Sequence, residues 1–165
     1  MKRLLVLLSF LTPFIASAQT NFSGWDQFSS NRFGFTLKYP DTWDVNEVSN
    51  GEYAFKNPYE KLGEFRIIVE EKFDSISASN DLIRLQEENA GSSLSEVGDH
   101  QILIYKTMSV LNGVSVEIHH WVIRSGNTLF HCTYKFDSAL RNATNLTDEM
   151  KMAYQAVESI NFSNE

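Results

Sequence analysis

Between residues 33 and 39 apolar and small or polar positions alternate. Phe33, Phe35, Leu37 and Tyr39 are separated by Gly34, Thr36 and Lys38, which is the two-residue period of a half-buried strand. Pro40 and Asp41 then turn the chain, because proline fixes φ and cannot continue a hydrogen-bonded ladder. Residues 43–48 and 52–57 read as the next two strands. Phe65, Ile67, Val69 and Phe73 alternate with Arg66, Glu70 and Lys72 in a fourth. From 79 to 90 the period changes: Ala78, Leu82 and Leu85 follow helical spacing, and Gly91 supplies the stop. Three longer strands are predicted at 100–111, 114–124 and 127–136. A closing helix over 147–160 puts Leu146, Met150, Ala153, Tyr154, Val157 and Ile160 on one face, with Thr147 as N-cap and Asp148 and Glu149 in the first turn. The order ββββ-α-βββ-α predicts an α+β fold, an α/β/α sandwich with a central, mostly antiparallel sheet covered by helices.

Strand register follows from the same pattern, since a slip of one residue moves every side chain to the other face. A two-residue turn at Asn112-Gly113 mixes Ile102, Ile104 and Met108 with Glu117 and His119. A three-residue loop, Leu111-Asn112-Gly113, aligns them instead with Val116, Ile118 and Val122, and is therefore expected. Loops of the same kind are expected at Ser49-Asn50-Gly51, pairing Val45 with Phe55, and at Ser125-Gly126-Asn127. This register gives one apolar face that includes His120 and Cys132. The opposite face carries Tyr105, Thr107, Glu117, His119, Trp121, His131, Thr133 and Lys135.

Composition sets the compartment. Met1-Lys2-Arg3, the apolar run from Leu4 to Ile15 and Ala16-Ser17-Ala18 form a secretory leader with its cleavage site. The run is shorter than the roughly 20 residues that span a bilayer. The chain is thus read as a signal peptide, residues 1–18, and a single exported domain, residues 19–165. The remaining 147 residues hold 12 basic and 21 acidic groups, a formal charge of −9. That charge argues against nucleic acid or an anionic membrane surface as a partner. Cys132 is the only cysteine, so no internal disulfide is available in an oxidising compartment and the core alone must hold the domain.

The run Phe33-Gly34-Phe35-Thr36-Leu37-Lys38-Tyr39-Pro40-Asp41-Thr42-Trp43 resembles the opening of the PsbP-like domains. Their superfamily also includes the periplasmic DcrB-like proteins and a eukaryotic Ran-binding import factor. The ending Val157-Glu158-Ser159-Ile160-Asn161-Phe162 is similar to the family's final helix and Ser-Ile-x-Phe close. The resemblance implies an α/β/α sandwich, with Tyr39, Pro40 and Trp43 as fold-defining residues and binding, assembly or escort as the kind of role.

Candidate chemistry is sparse. His119 and His131 lie diagonally on one face in the expected register, beside Glu117 and Tyr105. Two neutral imidazoles and a carboxylate are donors for a divalent transition metal such as zinc or copper. His120 and Cys132 face one another among Ile104, Val122 and Phe130, which would raise the thiol pKa and exclude substrate. Trp25 and Tyr59 are aromatic anchors if exposed, as are Tyr105 and Trp121 on the polar face. No phosphate-binding loop, nucleophile elbow or His-Glu-x-x-His motif occurs. The sequence thus predicts an exported, non-enzymatic accessory, assembly or adaptor factor of the cell envelope, without a required cofactor or stable membrane anchor. Its expected partner is an envelope or secreted protein. The alternative is a periplasmic metal- or small-molecule-binding protein using the His119/His131 face.

Overall fold

The computed structural model describes residues 22–97 and 100–163; the leader expected at 1–18 lies outside the described residues. Its elements are β1 (Trp25–Ser30), β2 (Phe35–Pro40), β3 (Asp44–Ser49), β4 (Glu52–Lys56), β5 (Gly63–Glu71), α1 (Ser75–Glu88), β6 (Ser93–Val97), β7 (His100–Leu111), β8 (Val114–Ser125), β9 (Thr128–Asp137), a 3₁₀ turn (Ser138–Leu140), α2 (Thr144–Glu158) and β10 (Asn161–Phe162). The main sheet has the order β3-β4-β5-β9-β8-β7-β6, with every neighbouring pair antiparallel. A second sheet, β1-β2-β10, lies beside α2.

The predicted α+β sandwich is therefore the observed architecture. One face of the main sheet is covered by α1, whose Ala78 and Leu82 meet Leu103, Val122 and Leu129. The other, inner face carries Phe55, Phe65, Ile67, Phe130 and Tyr134 beneath the second sheet and α2. Phe35 and Leu37 of β2 and Leu146, Ala153, Ala156 and Val157 of α2 are buried in that layer. Burying such side chains contributes about 1.5–3 kcal/mol each, which is what holds a domain lacking a disulfide.

The Tyr39-Pro40-Trp43 turn joins the two sheets. Asp41 donates its backbone N–H to Gly24 (3.0 Å) and Trp43 to Pro40 (2.9 Å). Trp43 is buried against Phe65, and Tyr39 meets Phe55 edge-on.

Three strands escape the periodicity. In β1 the two aromatics, Trp25 and Phe28, stand three residues apart, and Phe28 packs on Phe35, Tyr53 and Phe55. β6 is a largely polar edge strand, paired with β7 alone. β10 is two residues long and lies where the closing helix was predicted to lead out: Phe162 pairs with Phe35.

α2 also departs from expectation. It starts at Thr144 rather than Thr147, and its cap position, Ala143, makes no side-chain cap bond. Burial of Leu146 requires that turn to be helical already. Met150 and Tyr154, predicted on the buried face, flank it instead, while Glu149 and Ala156 point inward.

Register is the main correction. The β3–β4 hairpin pairs Val45 with Phe55 as expected, through a bulge between Glu47 and Ser49, with Gly51 at φ +81°. The β7–β8 hairpin, however, takes the two-residue turn: Leu111 pairs with Val114, and Asn112 and Gly113 adopt φ of 50° and 81°. Both signs fit the type I′ turn for which Asn-Gly is the preferred sequence. At β8–β9, Ser125 pairs with Thr128 around Gly126, again a two-residue turn. Odd-numbered residues of β8 therefore face α2, and even-numbered ones face α1. The uniform apolar face does not form.

Candidate functional site

α2 and the second sheet cover the β4-β5-β9 part of the inner face and stop short of β7. What they leave is an open groove of about 1020 Å³ between α2 and the strands β7 and β8. Its floor is Ile104 and Trp121, which the two-residue turn places directly opposite each other. Its helical wall is the flank of α2: Thr147, Met150, Lys151, Tyr154, Gln155 and Glu158. Tyr154 leans over the floor with its ring 6.4 Å from that of Trp121.

One end of the groove is polar. Glu117 and His119 are both buried to 8% exposure on the inner face. The His119 Nε2 atom lies 2.9 Å from Glu117 Oε1. Arg141, from the loop after the 3₁₀ turn, donates from Nε (2.9 Å) and Nη2 (2.5 Å) to the other carboxylate oxygen. Burial acts to raise the Glu117 pKa, but the hydrogen bonds from His119 and Arg141 outweigh it and hold the carboxyl below its usual range. Burial lowers the His119 pKa, Lys106 and Arg141 act the same way, and Glu117 opposes them. The result is a neutral imidazole on an ionised carboxylate capped by a guanidinium. Lys106, exposed beside it on β7, forms no ion pair among the described residues.

The other end is apolar. A slot of about 290 Å³ continues from Ile104, Trp121 and Tyr154 past Ile102, Ile123 and Val157 to Phe162, against whose ring His100 packs edge-on at 4.6 Å.

The residues predicted as a site are dispersed by the register. His119 and Trp121 lie in the groove. His131 and Tyr105 are on the opposite face of the sheet, so the predicted His119/His131 metal pair and the Tyr105/Trp121 surface do not exist as such. His131 Nε2 is 3.2 Å from Glu70, which also pairs with Lys72. Tyr105 stacks on His120 with centroids 4.3 Å apart and planes 6° from parallel. Burial drives the His120 pKa down to about 4, and its Nε2 is 2.8 Å from the Thr107 hydroxyl. Among the described residues, no group of three or more His, Cys, Asp or Glu side chains is arranged to hold a metal.

Cys132 is fully buried opposite Trp121, not opposite His120, and burial pushes its thiol pKa up. Trp25, the first residue of β1 in the second sheet, packs with Phe22, and Tyr59 is 86% exposed in the loop after β4; neither lines the groove. Lys106 and Arg141 went unpredicted. A lone arginine in a loop carries no periodic signal, and Lys106 becomes informative only once the register is known.

A buried acid lies at the start of α2. Glu149 is 2% exposed, and neither of its oxygens has a hydrogen-bond partner. Burial raises its pKa to about 7, and the charge of Glu60 adds to this.

Comparison with known proteins places this geometry. The family described as domain of unknown function (DUF3805) matches residues 24–163. No curated protein matches the chain. A crystal structure from Bacteroides thetaiotaomicron is similar at 23% identity and a TM-score of 0.70, over 87% of this chain. This chain spans half the length of that protein. LpqN of Mycobacterium tuberculosis, described as involved in cell envelope biogenesis, is 11% identical with a TM-score of 0.52, covering 86% of this chain and 93% of LpqN. Cyanobacterial PsbP (CyanoP) from Synechocystis is 10% identical, with a TM-score of 0.43 over 92% of this chain and 99% of its own. At under 25% identity, the likeness to the Bacteroides protein and to LpqN shows the fold alone. Among the described residues no helix is long and apolar enough to cross a membrane.

Proposed function

The chain belongs to the DUF3805 family, and from that premise we propose that it is an exported, non-enzymatic binding protein, an accessory, assembly or adaptor factor of the cell envelope that works through the groove beside α2. The groove carries this reading. It joins an apolar floor to a polar end where Glu117, His119 and Arg141 are engaged with one another and Lys106 stands open, an arrangement suited to holding a partner. Cys132, the strongest nucleophile in the chain, is buried with a raised pKa. The leader-like start supports export, and the envelope role stated for LpqN supports the compartment. Fold-level likeness is an analogy for function, so the site has to bear the weight.

The test is affinity purification of the tagged, exported protein from its own cells after mild crosslinking, beside the groove variants Arg141→Glu and Trp121→Ala. The expected result is an envelope protein recovered with the wild type and lost with both variants. Equal recovery with the variants would move the working surface elsewhere, and substrate turnover by the pure protein would end the non-enzymatic reading. A small-molecule role is the second reading, favoured by the slot and now centred on His119 without His131.

A further inference from the structure

We propose that the groove binds a single-chain amphiphile with a carboxylate head, a long-chain fatty acid, with its tail in the slot between α2 and β7–β8 and its head at Lys106. This rests on the reading of the groove as the working surface and names what occupies it.

Shape is the first argument. The slot of about 290 Å³ is continuous with the groove through Ile104, Trp121, Tyr154 and Glu158. Its size lies just below the usual range of small-ligand sites, roughly 300–1,000 Å³, and aliphatic and aromatic side chains make up most of its lining, with Ser95, His100 and Glu158 among them. A helix with its side chains is about 10–12 Å across, too broad for such a slot, whereas an extended hydrocarbon chain is thin enough to enter.

Charge is the second argument. The whole chain has a formal charge of −7, yet the groove is lined by three cations, Lys106, Arg141 and Lys151, against the two acids Glu117 and Glu158. Two of these are satisfied within the protein: Arg141 by Glu117, and Lys151 by Asp148 at 3.3 Å. Of these three, only Lys106 has no ion-pair partner among the described residues, and it is close enough to His119 to lower its pKa. One open cation next to an apolar slot complements one negative charge on an apolar tail. A phosphate head would bring a second charge toward Glu117 and Glu158, so a carboxylate fits better.

The experiment titrates the mature protein with hexadecanoate, hexadecanol and hexadecyl phosphate below their aggregation limits. Calorimetry reports binding, together with tryptophan fluorescence measured in a variant that keeps Trp121 and carries Trp25→Phe and Trp43→Phe. The expected result is one hexadecanoate site, with hexadecanol and hexadecyl phosphate each about tenfold weaker or more. Lys106→Glu should weaken hexadecanoate by a similar factor while leaving hexadecanol unchanged, and Lys106→Arg should restore it. Lys106 is exposed, so neither variant threatens folding. Ile104→Trp, checked for native circular dichroism, should block acid and alcohol alike.

Equal affinity for acid and alcohol, tighter binding of the phosphate, indifference to Lys106→Glu, or no binding at all would each overturn the proposal. Failure of the ligand is separable from failure of the groove. If no amphiphile binds but Arg141→Glu and Trp121→Ala still lose the crosslinked partner, the groove reading stands and the fatty acid falls.

Discussion

The inner face of the main sheet has two halves, one on β4, β5 and β9 and the other on β7 and β8, with opposite results. Under α2 and the second sheet, Phe55, Phe65, Ile67 and Tyr134 are sealed, and Phe65 is 0% exposed. Beyond the edge of α2, Ile102 and Ile104 are only half-buried, Met108 is exposed, and Glu117 and His119 stand between them. The covered half supplies stability, and the uncovered half supplies a surface. A helix placed over the centre of a seven-stranded sheet leaves a flank open, and the sequence has furnished that flank with polar and aromatic groups. A sheet built for stability alone would carry aliphatic residues there.

Substitutions should separate the halves. Phe65→Ala removes a sealed aromatic and should cost about 3–5 kcal/mol, while Ile104→Ala at the groove floor should cost about 1 kcal/mol. Urea denaturation at constant m-value measures both, and similar losses would erase the distinction.

Glu149 tests the covered half by pH. Its folded pKa of about 7 lies above the ordinary 4.5, so its contribution is fully present below pH 4.5 and is lost as pH rises through 7. Glu149→Gln does not ionise and should gain up to about 3 kcal/mol over wild type at alkaline pH. Near pH 4 the two proteins should unfold alike; a constant gap across pH would refute the assignment.

Glu117→Gln probes the polar end of the open half. Loss of the charge that holds Arg141 should cost about 1–2 kcal/mol. It should also shift the His119 titration, followed by NMR, to lower pH, because Glu117 opposes the effect of burial there. An unchanged His119 pKa would show that the contact has no electrostatic weight. Tyr154→Phe, on the exposed wall of the groove, should change stability by less than about 0.5 kcal/mol. A larger loss would mean that the wall belongs to the core.

Much of the fold was legible in the pattern. Seven of the strands and both helices follow from apolar periodicity, and the Tyr39-Pro40-Trp43 turn behaves as its residues require. The site was less legible, for an instructive reason. Apolar uniformity argues against a two-residue turn at Asn112-Gly113, because that turn mixes Ile104 and Met108 with Glu117 and His119. That mixing is real: Asn-Gly satisfies the type I′ geometry locally, and the incomplete cover above tolerates polar groups on the inner face. Uniform apolarity is a sound rule for a sealed sheet, and it fails where the sheet is open.

By itself the sequence determined the element periods, the class of fold and the turn residues, because each depends on neighbours a few positions apart. Tertiary structure decided that His119 and His131 lie on opposite faces, that Arg141 reaches Glu117 across 24 residues, and that Glu149 is buried inside the first half of α2. Those facts depend on strand register and on where α2 ends its cover, and both are set by packing between segments distant in the chain.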